Sequence, residues 1–377
     1  MSKITVGIVG CGPIAAMRHI PSFQKIGRKT RIVAACDVDH RMAVDTASKF
    51  GIPNSFGSLS EMLVNIHPEI VDICTPPQTH KNLAIQAMEA GCNVLVEKPI
   101  ALTVAECDEM IRASKKNGVK LSAVHNQKFY PPFLNAQKLV SDGKIGKLLG
   151  MRVLNLTPKK GYLEKRDHWV HRLPSGVMTE SGPHAVYMSL PFMQHVRGVR
   201  VSAKKTQPYP WASFDTYSVQ LEGDSASSDL FVSHATEHFA TEVDLFGTKG
   251  SVRMDLQSML LDFQKRKSLK PLSLGTSSLS TSRGIATGVL SNAVASMTGK
   301  SFLGHDVIIK KFVECLEDES PPPILEDEAR ETTRVLEQIS FMCDRASSDG
   351  ATTDEIETVP VSRTSAATLI PNTSTEP

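Results

Sequence analysis

Four short stretches of this chain carry residue types that could bind a phosphate or move a proton. They are Gly10-Cys11-Gly12-Pro13-Ile14-Ala15, Thr75-Pro76-Pro77-Gln78-Thr79-His80, Glu97-Lys98-Pro99 and Glu180-Ser181-Gly182-Pro183-His184. The first is a GxGxxA turn. Gly10 permits a tight turn, Gly12 lets backbone approach a pyrophosphate, and Ala15 lets helix and strand pack closely. Pro13 and Ile14 open a helix whose free amides favour an anion. Asp37 ends the next apolar run, where an acid accepts hydrogen bonds from the adenosine ribose and repels a 2′-phosphate. NAD is therefore the expected cofactor, with NADP possible because Arg41 lies close by. The distance from the glycines to Asp37 exceeds the usual span of about 20 residues, so Gly27-Arg28-Lys29 reads as a longer connecting loop.

Lys98 can hydrogen-bond a reacting oxygen and stabilise developing negative charge. Partial desolvation and a cationic nicotinamide would lower its pKa. Glu180 and His184 are four apart on an expected helix and share a face. A hydroxyl that loses hydride must also lose a proton. Histidine is a suitable base, and a neighbouring carboxylate would orient it and stabilise its charged form. The loop from Tyr162 to Arg172 adds Trp169 and Arg172 as side chains that could clamp a sugar, a carboxylate or a phosphate. A hydrophilic loop with one packed Trp is the alternative there.

These residues need elements to hold them. Ile4 to Val9, Arg31 to Cys36, Ile70 to Cys74, Asn93 to Val96 and Lys120 to Val124 read as short, continuously apolar strands. Helices are expected between them, at Pro13 to Gly27, Asp39 to Phe50, Thr79 to Ala90 and Thr103 to Asn117. Alternation of this kind means parallel strands joined by crossover helices. Thr103-Val104-Ala105-Glu106 fits a capping box, while Gly91 and Gly118 fit helix stops. Asp39 suits a helix cap better than Asp37 does. Thr75, Pro76, Glu97 and Lys98 then fall at carboxyl ends of strands, where open parallel sheets bind ligands.

Beyond Val124 the pattern changes. Helices are expected at Pro132 to Ser141 and Gly176 to Phe192, and a strand at Leu148 to Leu156. Strand-like runs follow from Val199 to Leu256, joined by turns at Gly223-Asp224 and Thr248-Lys249-Gly250, which reads as an antiparallel meander. Gln264 to Lys300 is rich in Ser, Thr and Gly and poorly periodic; it reads as a mobile surface loop, an insertion, a lid or an oligomer arm. Two helices close the fold near Gly304 to Glu317 and Glu326 to Ser347. The Ser/Thr/Pro-rich residues 361–377 read as a disordered tail. The expected division is 1–125 for the cofactor and 126–350 for substrate and oligomerisation.

The bulk numbers agree with a two-domain globular protein. The chain has 377 residues, 41% hydrophobic and 22% charged, with a formal net charge of +2. That balance implies neither nucleic acid nor an anionic membrane as a partner. No apolar run approaches the roughly 20 residues a bilayer requires, and no signal peptide is read at the N-terminus. The seven cysteines are odd in number and lack ligand spacing. They read as reduced thiols of a cytoplasmic protein, with no metal site expected.

Together the four stretches resemble the Gfo/Idh/MocA oxidoreductases, relatives of glucose–fructose oxidoreductase and inositol dehydrogenase; Glu97-Lys98-Pro99 is the most specific element. The resemblance covers about the first 350 residues. It implies an α/β fold: an N-terminal Rossmann domain with a doubly wound parallel sheet, then an α+β domain on an open, mostly antiparallel sheet. It implies a dehydrogenase acting on a hydroxyl or carbonyl carbon of a sugar- or polyol-like substrate, assembled as a homodimer or homotetramer. A cis Lys98-Pro99 bond, a catalytic His184, and His80 and Asn126 near the cofactor are implied too. Two positions depart from the family. Glu180 stands where Asp is common, and Lys128 where Arg is common, so an anion contact there would not be bidentate. Two other readings remain open. One is an NAD-assisted glycosidase or epimerase without net redox change; the other is a non-catalytic NAD(H)-responsive binding protein.

Overall fold

The computed structural model describes residues 2–265, 268, 270–297, 304–348 and 359–360. The chain begins with β1 (Ile4–Val9), a π-helical turn (Ala15–His19), α1 (Ile20–Lys25), β2 (Thr30–Cys36) and α2 (His40–Phe50). Next come β3 (Ser55–Phe56), α3 (Leu59–Asn65), β4 (Ile70–Ile73), α4 (His80–Glu89), β5 (Asn93–Val96), α5 (Val104–Asn117) and β6 (Leu121–Ala123). Six strands form one sheet in the order β3-β2-β1-β4-β5-β6, and every pair in it is parallel. The order reverses beside β1, which opens the crevice where such sheets bind ligands. Four strand-helix units were expected; the short pair β3 and α3 is additional.

Local chemistry sets the boundaries. Asp39 caps α2 by accepting the Arg41 amide. Thr103 caps α5 by accepting the Glu106 amide, while the Glu106 carboxylate reaches back to Leu102 N at 3.1 Å. Gly118 ends α5 in the left-handed region, where a residue without Cβ is unstrained.

The second half comprises α6 (Pro131–Ser141), β7 (Leu148–Pro158), α7 (Val177–Met193), β8 (Val196–Lys204), β9 (Thr216–Gly223), β10 (Ser227–Thr236), β11 (Ala240–Gly247) and β12 (Ser251–Asp255). Then follow β13 (Leu260–Gln264), α8 (Pro271–Met297), α9 (Gly304–Glu317), α10 (Glu326–Ser348) and β14 (Val359–Pro360). Its sheet runs β13-β12-β11-β7-β10-β9-β8-β14. The β7–β10 pair is parallel, and the remaining pairs are antiparallel. One face carries α7; Phe231 and Phe246 are exposed.

The expected irregular loop at 264–300 is corrected here, because 271–297 is one long helix. It lies against β13, and Asn292 Nδ2 donates to the Ser258 carbonyl at 2.9 Å. The expected tail at 361–377 lies outside the described residues. Near the end the chain returns to the first sheet: Ile308, Ile309, Phe312 and Val313 of α9 are buried in the same core as β1, β4 and β5. All seven cysteines are buried, and none is in a disulfide.

Candidate active site

The glycine turn sits at the carboxyl end of β1. Gly10 has φ +92°, and a Cβ there would stand 2.8 Å from the Cys74 carbonyl carbon, so only glycine fits. A Cβ on Gly12 would meet nothing within 4 Å, which leaves an open cradle at the start of the helix. Asp37 holds this loop: its carboxylate accepts the Cys11 amide at 2.8 Å and the Asp39 amide at 2.9 Å. Pro13 and Ile14 form the first turn, and Ala15 is fully buried against the sheet. These residues could hold a dinucleotide, with its pyrophosphate at the amides that open the helix and its ribose at Asp37.

Thr75 and Pro76 follow β4, and Lys98-Pro99 follows β5 with a cis peptide bond. His80 ties these two loops together from below. Its Nδ1 lies 2.9 Å from the Pro99 carbonyl and its Nε2 lies 2.8 Å from the Thr75 carbonyl. His80, expected near the cofactor, is fully buried with its ring nitrogens facing these two carbonyls. It shapes the cofactor loops from behind.

Lys98 reaches the second half of the molecule. Its Nζ donates to Glu180 Oε1 at 2.5 Å and to the Glu180 carbonyl at 2.9 Å. Both side chains are almost enclosed, 12% and 13% exposed. Gly182 lets α7 approach α10 closely, since a Cβ there would stand 2.6 Å from Met178 Cε and 3.2 Å from Leu336 Cδ2. Burial would lower the lysine's pKa, but the Glu180 and Glu97 carboxylates outweigh it and hold the value above 10.5. Without a cationic nicotinamide beside it, Lys98 is therefore held as an ammonium by these two carboxylates.

Glu180 was expected to orient His184. It pairs with Lys98 instead, because a full cation beside it attracts the carboxylate more than a neutral imidazole does. The partner of His184 is Tyr187, whose hydroxyl lies 2.6 Å from Nδ1. Burial, reinforced by the charge of Lys98, holds the His184 pKa well below 6.5, so this histidine is neutral. Tyr162 stands near the same group, with burial and the Glu180 charge raising its phenol. His234 is buried beside it and donates to or accepts from Ser181 Oγ at 2.7 Å.

Beneath the lysine lies a charged network that sequence reasoning missed. His19 Nδ1 is 2.8 Å from Asp72, and its Nε2 is 2.9 Å from Glu97. The other Glu97 oxygen accepts the Lys98 amide at 2.9 Å, and His305 of α9 lies 3.4 Å from Glu97. Burial works against charge on His19, but Asp72 outweighs it and raises its pKa well above 6.5. His19, Glu97 and His305 lie close enough to hold a metal ion, yet both His19 nitrogens already serve carboxylates. One signal was available: Asp72 interrupts the apolar run Ile70-Val71-Asp72-Ile73, and a buried carboxylate requires a partner.

The remaining candidates are spread around this centre. Asn126 is buried; its Oδ1 accepts from the Tyr187 hydroxyl at 3.3 Å and its Nδ2 donates to Tyr130 Oη at 3.4 Å. Lys128 pairs with Glu328 of α10 at 2.5 Å, so it braces α10 and is not a free anion contact. Trp169 begins a 3-10 turn (Trp169–Arg172) and is half-buried, while Arg172 is exposed.

Comparison with known proteins agrees with this architecture. Residues 4–125 match the model described as "Oxidoreductase family, NAD-binding Rossmann fold", and residues 133–253 match the "GFO/IDH/MocA C-terminal domain". The D-glucoside 3-dehydrogenase of Escherichia coli is 29% identical over 147 residues, which is 39% of this chain and 42% of that one. The 2,7-anhydro-N-acetylneuraminate hydratase of Mediterraneibacter gnavus is 34% identical over 149 residues, 40% of this chain and 38% of that one. The chain spans less than two thirds of the length of most of the curated relatives it matches. Among solved structures, the WlbA dehydrogenase of Bordetella pertussis in complex with NADH and UDP-GlcNAcA superposes with TM-score 0.76 at 21% identity. That match covers 96% of this chain and 99% of that one.

Proposed function

Because the chain belongs to the GFO/IDH/MocA family of NAD-binding oxidoreductases, we propose that it is a dehydrogenase of small sugar- or polyol-like molecules, interconverting a secondary hydroxyl and a ketone. The observation that carries this reading is the meeting of Lys98, Glu180 and His184 at the carboxyl ends of the parallel strands. Residues 1–125 hold NAD and residues 126–350 supply the substrate side, with α9 returned to the first layer. The nicotinamide, when bound, supplies the hydride acceptor or donor.

The chain's own residues do the rest. The Lys98 ammonium hydrogen-bonds the reacting oxygen and stabilises the charge that builds there. Glu180 fixes the direction of that ammonium through two hydrogen bonds. Neutral His184 takes the hydroxyl proton, and returns it in the reverse direction. Trp169 and Arg172 border the substrate, and Arg172 suits one that carries an anionic group. Asp37 favours NAD over NADP by repelling a 2′-phosphate. The seven buried cysteines, none in a disulfide, support a reducing, cytoplasmic setting, and no described helix is long and apolar enough to cross a membrane. The exposed Phe231 and Phe246 support self-association into a homodimer or homotetramer through the open sheet.

The test is fluorescence titration of the protein with NADH and NADPH beside a Gly12→Asp variant, then a screen of sugars, inositols and sugar acids for NAD reduction. We expect saturable binding that prefers NADH and is lost in the variant, whose new Cβ meets nothing within 4 Å. Lys98→Ala is expected to bind NADH and to turn over nothing in the screen. Unchanged turnover in that variant would remove the catalytic reading. The hydratase name of the Mediterraneibacter gnavus relative favours one second reading, a reaction with no net redox change. Product formation without accumulation of NADH would select it.

A further inference from the structure

Tyr187 is fully buried on α7, three residues after His184, and so lies one turn further along the same side. Its hydroxyl has three polar neighbours. The Gln127 backbone amide donates to it at 3.2 Å, Asn126 Oδ1 accepts from it at 3.3 Å, and His184 Nδ1 lies at 2.6 Å. A phenol offers one hydrogen and two lone pairs. The Gln127 amide can only donate, so it takes a lone pair. The Asn126 carbonyl oxygen can only accept, so it takes the hydrogen. One lone pair is left for His184, and Nδ1 must therefore carry a hydrogen.

From this arrangement we infer that Tyr187 is a positioning residue that locks His184 in its Nδ1–H tautomer and leaves Nε2 bare as the proton-accepting atom. The inference rests on the assignment of His184 as the base. Each partner of the hydroxyl is itself held. Asn126 directs its Nδ2 at Tyr130 Oη, 3.4 Å away, which leaves Oδ1 facing the Tyr187 hydroxyl. The Tyr187 ring is stacked on His125, with centroids 4.3 Å apart and planes 15° from parallel. His125 is tied in turn to Glu328 of α10 at 3.1 Å. Burial pushes the phenol of Tyr187 well above 10, so it remains a hydroxyl with a single hydrogen to give.

The role matches that of the carboxylate in a serine-protease triad, which sets the imidazole tautomer through Nδ1–H. The difference is charge. A neutral phenol fixes the tautomer without stabilising an imidazolium, so His184 stays neutral between turnovers beside the cationic Lys98. When Nε2 gains the substrate proton, the short Nδ1–H···O contact becomes charge-assisted and strengthens. Glu180 is thereby free to serve the lysine.

The experiment is nitrogen NMR of the full-length protein labelled with 15N in its imidazoles, without ligand, using His184→Gln to identify the His184 signals. We expect a protonated, pyrrole-type Nδ1 and an unprotonated, pyridine-type Nε2 at pH 7. Tyr187→Phe should move both signals toward the average of two exchanging tautomers. A wild-type spectrum with the proton on Nε2 overturns the inference, and so does a Tyr187→Phe spectrum identical to wild type. Should Tyr187→Phe fail to fold, the wild-type spectrum decides alone. The base assignment is tested separately: His184→Gln that turns over normally removes that reading, whatever the tautomer proves to be.

Discussion

Shortening Glu180 to aspartate tests whether this carboxylate governs the charge of Lys98. The wild-type contact is 2.5 Å from Nζ to Oε1. Removing one methylene withdraws the carboxylate by about 1.5 Å, to about 4.0 Å. With an effective dielectric of about 20, the attraction falls from about 6.6 to about 4.2 kcal/mol, a loss of about 2.4 kcal/mol. Taken in full, that raises the fraction of uncharged amine about 60-fold at a fixed pH below its titration. The Glu180 carbonyl still accepts from Nζ at 2.9 Å, and water entering the gap recovers part of the rest. A rise of about tenfold is therefore the expected outcome. Only the free amine reacts with acetic anhydride, so the rate of Lys98 acetylation followed by mass spectrometry reads that fraction without any substrate. An unchanged rate in Glu180→Asp would falsify the claim that Glu180 keeps Lys98 charged. It would leave Glu97 as the carboxylate responsible.

Two other predictions follow from charge placement. Burial alone would raise the carboxyl of Glu328, but Lys128 and His125 pull it from 4.5 down to about 2. A depression of that size corresponds to about 3 kcal/mol of stability, present above pH 4.5 and lost as pH falls toward 2. Urea unfolding of Glu328→Gln should show that deficit at pH 7 and less than half of it at pH 3, where the folded-state carboxylate is still largely ionised; an equal deficit at both would refute the ion-pair account. Because burial holds His184 well below 6.5, kcat/KM should show no loss from this group as pH falls through 6.5. A pH–rate profile with an acidic limb near 6.5 that disappears in His184→Gln would contradict it.

Much of the first sheet was legible because its signals are local. Each strand is a short apolar run, and Asp39, Thr103 and Gly118 mark the helix ends by side-chain chemistry that needs no distant partner. The helix α8 was not legible for the opposite reason. Residues 271–297 contain one charged side chain, Arg283, and many Ser, Thr and Gly residues, which favour helix weakly on their own. The helix is supported by β13, which precedes it: Thr281 Oγ1 donates to Asp262 at 3.1 Å, and Gly288 lets Leu260 approach closely. Packing thus overrides propensity. The same limit explains the misassigned partner of His184. Helical spacing placed Glu180 and His184 on one face, but the competing cation is 82 residues away in sequence. Tyr187 satisfies the same spacing rule at three residues, but a tyrosine in an apolar helix carries no sequence signal that separates it from core.

The buried network under Lys98 gives the site its electrostatic sense. Asp72 and Glu97 are two carboxylates held in the core by one imidazolium, His19, and the neighbouring His305 has its pKa lowered by burial. Glu97 spends one oxygen on His19 and gives the other to the Lys98 amide, so the same side chain fixes the backbone and supports the charge of the ammonium. His19 itself comes from the π-helical turn that follows the glycine cradle, and a π turn often marks a functional position. Movement of that turn would displace Glu97, and with it the backbone that aims Lys98. The glycine turn and Lys98 are thus linked through one buried histidine, a connection between residues 19, 72 and 97 that only the folded parallel sheet brings together.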